Sequence, residues 1–190
     1  MKKKVRRNVN FHSEDELQSP KIAPRSSDDL DKTRGFTDLH SAAHKGDINA
    51  KAVLDILPDS QSSLKTISPN KQKKITAKDA NGRTPLFYAI EHGHAKFASV
   101  LIESGAEVDI ADNNGYYPMH LAAMQGQEES LKVLLTKGAK VSVKDFEERT
   151  PLFWSVYNDH PQCVKLLLDA GAEGINLLQF QKLTNSSGCC

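Results

Sequence analysis

An all-α solenoid of stacked helix-turn-helix units with projecting hairpin loops is the fold that the sequence predicts, and two markers that repeat in phase predict it. Pro85, Pro118 and Pro151 stand 33 residues apart, and so do Gly105, Gly138 and Gly171, each followed by alanine. Around the prolines one pattern recurs. Gly82-Arg-Thr-Pro-Leu-Phe-Tyr-Ala-Ile-Glu-His-Gly93 returns as Gly115-Tyr-Tyr-Pro-Met-His-Leu-Ala-Ala-Met-Gln-Gly126 and as Glu148-Arg-Thr-Pro-Leu-Phe-Trp-Ser-Val-Tyr-Asn-Asp159. One helix pair of this size cannot bury its apolar face alone, so neighbouring units must stack.

Each element follows from local chemistry. Thr84 and Thr150 can cap a helix with their hydroxyls, and the prolines after them suit the first helical position, where a missing N–H costs nothing. First helices therefore begin at Pro85, Pro118 and Pro151. Gly93 and Gly126 turn the chain into second helices, in which Phe97, Val100 and Leu101 recur as Leu131, Leu134 and Leu135, then as Val164, Leu167 and Leu168. Gly105, Gly138 and Gly171 suit the left-handed position that ends each one. The polar run after it, such as residues 108–115, reads as a projecting hairpin. An earlier copy, Gly35-Phe-Thr-Asp-Leu-His-Ser-Ala-Ala-His-Lys-Gly46, precedes the second by 47 positions, one period plus a 14-residue insertion.

The Thr-Pro-Leu pattern at this period resembles the ankyrin repeat, and the resemblance covers about residues 35–180. It divides the chain into repeat 1 at about 35–81 with the insertion 58–74, repeat 2 at 82–114, repeat 3 at 115–147 and repeat 4 at 148–180. Residues 1–34 read as a disordered basic segment, 181–190 as a tail, and the insertion as a basic loop with little regular structure before a hairpin at 75–81. Some positions depart from the pattern. Tyr117 replaces the capping threonine, at an expected cost of about 0.5–2 kcal/mol. Asp38 replaces proline, and Glu148 and Asp159 stand where the other copies have glycine, which should strain repeat 4. That repeat is also apolar for an end unit, so Ile175, Leu177, Leu178, Phe180 and Leu183 are expected to fold over it.

Charge excludes some functions. The chain has 25 Lys+Arg against 24 Asp+Glu, but residues 1–34 carry +3, residues 58–78 carry +4, and residues 79–190 carry −5. A nucleic-acid binder needs a continuous cationic face, so no nucleic-acid partner is expected. No window approaches about 18 consecutive apolar residues, and the basic N-terminus leads into polar sequence rather than a secretory apolar run. Three cysteines, Cys163, Cys189 and Cys190, support neither a disulfide framework nor a zinc site, which suits a reducing compartment. A cytoplasmic location is expected, with nuclear entry open through the basic runs at 2–7 and 71–74. Cys189 and Cys190 are a candidate lipidation site and would be the only means of membrane contact.

Catalytic chemistry finds no footing. There is no phosphate loop, no Gly-x-Ser-x-Gly elbow and no His-Glu-x-x-His, so no enzyme, cofactor or metal is expected. His40 and His120 fall at the pattern's histidine position, where the resemblance implies inter-repeat hydrogen bonding; His94 and His160 fall at its Gly-His position. Cys163 reads as a small core residue.

What the resemblance implies instead is a non-enzymatic module that binds a protein partner, of unknown identity, through hairpin tips and the concave face, the chain itself being a monomer. The positions it carries over are Arg83, Glu91 and His92 in repeat 2, then Asn113, Tyr116, Met124 and Gln125 in repeat 3, and Phe146, Arg149, Tyr157 and Asn158 in repeat 4. Tyr116, Phe146, Arg149 and Tyr157 are the expected anchors, being of types enriched in interface cores. A second reading is a regulatory or effector protein, such as a bacterial one acting inside a host cell, directed by its tails to membranes or the nucleus.

Overall fold

The computed structural model describes residues 35–57 and 68–174. The described residues form helices and turns without strands: α1 (Asp38–Lys45), α2 (Lys51–Leu54), α3 (Pro69–Ile75), α4 (Pro85–Glu91), α5 (Ala95–Glu103), α6 (Pro118–Met124), α7 (Glu128–Thr136), α8 (Pro151–Tyr157) and α9 (Pro161–Asp169). The first helices stack in the order α1, α4, α6, α8, and the second helices α5, α7 and α9 form a second row behind them. This is the all-α solenoid that the period predicts.

The helix starts use two different caps. Thr84 Oγ1 accepts the Phe87 N–H at 3.4 Å, and Thr150 Oγ1 accepts the Phe153 N–H at 3.2 Å. Units 1 and 3 carry histidine in place of that phenylalanine. There the Nδ1 of His40 accepts the Thr37 N–H, and that of His120 accepts the Tyr117 N–H, both at 3.1 Å. The cap expected to be missing at Tyr117 is therefore replaced, since the His120 amide also finds the Tyr117 carbonyl at 2.9 Å.

The same rings tie neighbouring units together. With Nδ1 accepting, the proton sits on Nε2, and His40 donates it to the Arg83 carbonyl at 3.1 Å while His120 donates to Arg149 at 3.0 Å. At the turns, His94 donates to the His44 carbonyl at 3.2 Å and His160 to the Met124 carbonyl at 3.1 Å. Both rings lie over a glycine. A Cβ on Gly46 or Gly126 would come within 2.6 Å of the imidazole above it, so these turns need glycine for space as well as for their φ of +68°.

The core is a long seam from Leu39 to Leu167, with a second, smaller cluster of Met124, Phe153 and Trp154 beside it. Along the second helices the buried sets are Phe97, Ala98 and Leu101, then Ser130, Leu131 and Leu134, then Cys163 and Leu167. This corrects the sequence stripe by one position in unit 2. Val100, Leu135 and Val164 are half-buried and Leu168 is exposed, because the strict 33-residue alignment places Leu101, Leu134 and Leu167 at the centre of the seam.

The insertion also differs from expectation. Pro69 opens α3, which runs through Lys71, Lys73 and Lys74 to a fully buried Ile75. Ile75 occupies the register of Val108 and Val141, so the end of the insertion is anchored by the apolar residue that begins the hairpin. Lys71 Nζ donates to the Leu57 carbonyl at 3.0 Å and Gln72 to the Gly105 carbonyl at 3.1 Å, tying α3 to units 1 and 2. The expectations for residues 1–34, 58–67 and 175–190, the terminal cysteines included, lie outside the described residues.

Candidate interaction surface at the hairpin tips

Each hairpin is organised by one aspartate. Asp79, Asp112 and Asp145 stand 33 residues apart, and Oδ1 of each accepts two backbone N–H groups of its own loop. The pairs are Asn81 and Arg83 at 2.8 Å each, Asn114 at 2.9 Å and Tyr116 at 2.8 Å, and Glu147 and Arg149 at 2.9 Å each. The second oxygen is used differently along the stack. In Asp79 it accepts the Tyr88 hydroxyl at 2.8 Å; in Asp145 it accepts Arg149 Nε at 2.7 Å and Trp154 Nε1 at 3.2 Å. Neither the aspartates nor Trp154 were singled out from the sequence, although the aspartates repeat with the same period as the prolines.

The expected binding residues divide by exposure. Arg149 is only 5% exposed: its guanidinium lies 4.4 Å above the Trp154 ring, with Asp145 on Nε, Glu147 on Nη1 at 2.9 Å and the Tyr116 hydroxyl on Nη2 at 3.1 Å. Its expected role as an anchor is corrected on that ground, because all three guanidinium nitrogens and one face of the planar cation are already engaged within the protein. Met124 is likewise buried, and its own backbone carbonyl accepts from Asn158 at 2.8 Å and from His160.

Arg83 and Glu91 are mostly covered as well. Arg83 lies 4.8 Å above the Tyr88 ring and pairs with Glu91 at 3.4 Å and Asp79 at 3.5 Å. Burial pushes the Glu91 carboxyl above its ordinary pKa, with Arg83 acting in the opposite direction. Asn113 fastens one tip to the next, its backbone N–H donating to the Asn81 carbonyl at 2.9 Å and its side chain to the Ala80 carbonyl at 3.0 Å.

What stays outward is a short row. His92 is exposed beside His44, with ring centroids 4.1 Å apart, and Gln125 is exposed against Gln127. Tyr116 and Tyr157 are half-buried. Tyr116 sets its ring edge toward Trp154 at 6.1 Å, and Tyr157 stacks on Phe153 at 5.9 Å. Phe146 is 79% exposed at the last hairpin tip, its ring resting over Gly115. It is the largest exposure among the large apolar side chains described.

The family model described as ankyrin repeats (3 copies) matches residues 17–112, 39–145 and 105–178. The chain belongs to the ankyrin repeat family. Comparison with curated proteins finds no match. Ankyrin repeats are generally protein–protein interaction modules and typically have no enzymatic activity. Among the described residues of this ankyrin array, Asp79, Asp112 and Asp145 serve the hairpins, and His40 and His120 serve the joints between repeats. Phe146, at the last hairpin tip, is an aromatic side chain that internal packing leaves largely in solvent.

Proposed function

We propose that the chain captures a protein partner along the hairpin tips and the exposed side of the first helices, with Phe146 and Tyr157 as its apolar anchors. The observation that carries this reading is the exposure of Phe146. Leaving an aromatic side chain in water forgoes roughly 1.5–3 kcal/mol of burial that a partner can recover. Tyr116 and Tyr157, both set against Trp154 at 6.1 and 5.9 Å, add to the aromatic surface that Phe146 offers, and Gln125, Asn114 and His92 are exposed polar side chains at the loops and turns. Arg149 acts beneath this patch, holding the loop that presents Phe146.

Affinity capture from a native lysate, with Phe146→Ala plus Tyr157→Ala as the control bait, tests the reading. Wild type is expected to retain a partner that the double variant loses. Phe146→Ala alone should leave the melting temperature unchanged, since its ring covers little of the fold. Equal capture by both baits would end the proposal.

A further inference from the structure

The stack ends in an apolar face that no described residue covers. Val156 is 39% exposed, whereas Ala123 and Ile90, one and two repeats earlier at the same position, are fully buried. Val164 is half-buried where Leu131 and Ala98 are fully buried, and Leu168 is 49% exposed where Leu135 and Ile102 are half-buried. In repeats 2 and 3 the next repeat supplies the missing cover.

A further repeat of the same kind is a poor occupant of that face. In repeats 1 to 3 the next hairpin presses on a glycine. A Cβ on Gly35 would meet the Lys78 carbonyl oxygen at 2.7 Å, and a Cβ on Gly82 or Gly115 would meet the backbone nitrogen of Asn113 or Phe146 at 3.0 Å. Repeat 4 carries Glu148 at this position, at φ +62°, and Asp159 at φ +57° where Gly46 and Gly126 leave room for the next histidine ring. Both side chains stand where the next backbone or ring would approach.

The sequence that follows changes character at the same register. The hairpin aspartate of positions 79, 112 and 145 becomes Leu178, while Val141 and Val143 become Gly174 and Asn176. Another aspartate-organised hairpin is therefore not encoded. Between Gly174 and Leu183 the chain instead offers Ile175, Leu177, Leu178, Phe180 and Leu183, starting six residues beyond the end of α9. We infer that residues 175–183 lie over Val156, Val164 and Leu168, closing the stack in place of a fifth ankyrin repeat.

The full chain tests this with two variants and their combination. Leu178→Asp with Phe180→Asp disables the cover, and Leu168→Asp disables the face; both the tail variant and the face variant are expected to melt about 4 °C or more below wild type. The combined protein should melt no more than about 2 °C below the lower of them, because each removes the same contact. An unshifted tail variant would overturn the inference, and so would a neutral Leu168→Asp, which is the behaviour of a bare surface leucine. Fully additive shifts would do the same. A wild-type dimer by light scattering, unchanged in the tail variant, would assign the face to a second copy and reject the tail.

Discussion

Asp145→Ala is expected to lower the free energy of unfolding by about 3–5 kcal/mol, the range for breaking a buried ion pair by removing one partner. Asp145 is 3% exposed and accepts four hydrogen bonds: the Glu147 and Arg149 backbone N–H groups, Arg149 Nε and Trp154 Nε1. Its loss leaves the Arg149 guanidinium buried above Trp154, with the half-exposed Glu147 as its remaining carboxylate. Two loop amides lose their acceptor at the same time. Asp145→Asn keeps one oxygen for the amides and should cost less, which separates the loop's need for an acceptor from the cation's need for a charge. Trp154 is the only tryptophan, so urea unfolding followed by its fluorescence reports on the region directly. A loss under about 1 kcal/mol would contradict the account.

Acid sensitivity is the second large effect, and it traces to His120. Burial lowers its pKa from 6.5 to about 4, against the opposing influence of the Arg149 carbonyl and Asp145. The geometry gives the reason: Nδ1 already accepts the Tyr117 N–H, so a second ring proton would point at another donor inside the stack. Because the folded pKa lies below the unfolded one, the stabilisation from the neutral ring is complete above pH 6.5. It is lost as pH falls from there to about 4, and amounts to about 3 kcal/mol. His40, lowered in the same direction by burial, adds to the loss between repeats 1 and 2.

Tyr117→Thr combined with His120→Phe converts repeat 3 to the threonine-capped arrangement of repeats 2 and 4. The Arg149 carbonyl would keep its bond from the Asp145 N–H at 3.0 Å, so no buried acceptor is stranded. Denaturant unfolding at a series of pH values between 7 and 4 should show a shallower fall for this variant than for wild type. Equal slopes would remove His120 as the cause.

Much of the architecture was legible because its signals are local. A proline at the first helical position opens a helix whatever surrounds it, and a glycine followed by alanine ends one, so Pro85, Pro118 and Pro151 predict helix starts at the residues observed. The joint roles of His40 and His120 were also legible, once the repeat alignment placed them. Where the architecture was not legible, the deciding interaction was a side-chain contact that the repeat pattern does not signal. Arg149 looked like a surface anchor until Trp154, Tyr116 and Asp145 closed around it. The end of the insertion looked structureless until Ile75 found the core. The aspartates were readable by period but offered no reason to be structural before their oxygens met the loop amides.

The amino-acid sequence thus determined the period, the family, the starts of the first helices in repeats 2 to 4 and the position of Phe146 at a hairpin tip, since each rests on short-range geometry repeated in phase. The tertiary structure alone decided which of the like positions are buried. Val156, Ala123 and Ile90 share one place in the repeat, and their exposure differs because burial in a solenoid is set by the neighbour that stacks above, not by the repeat that carries the residue.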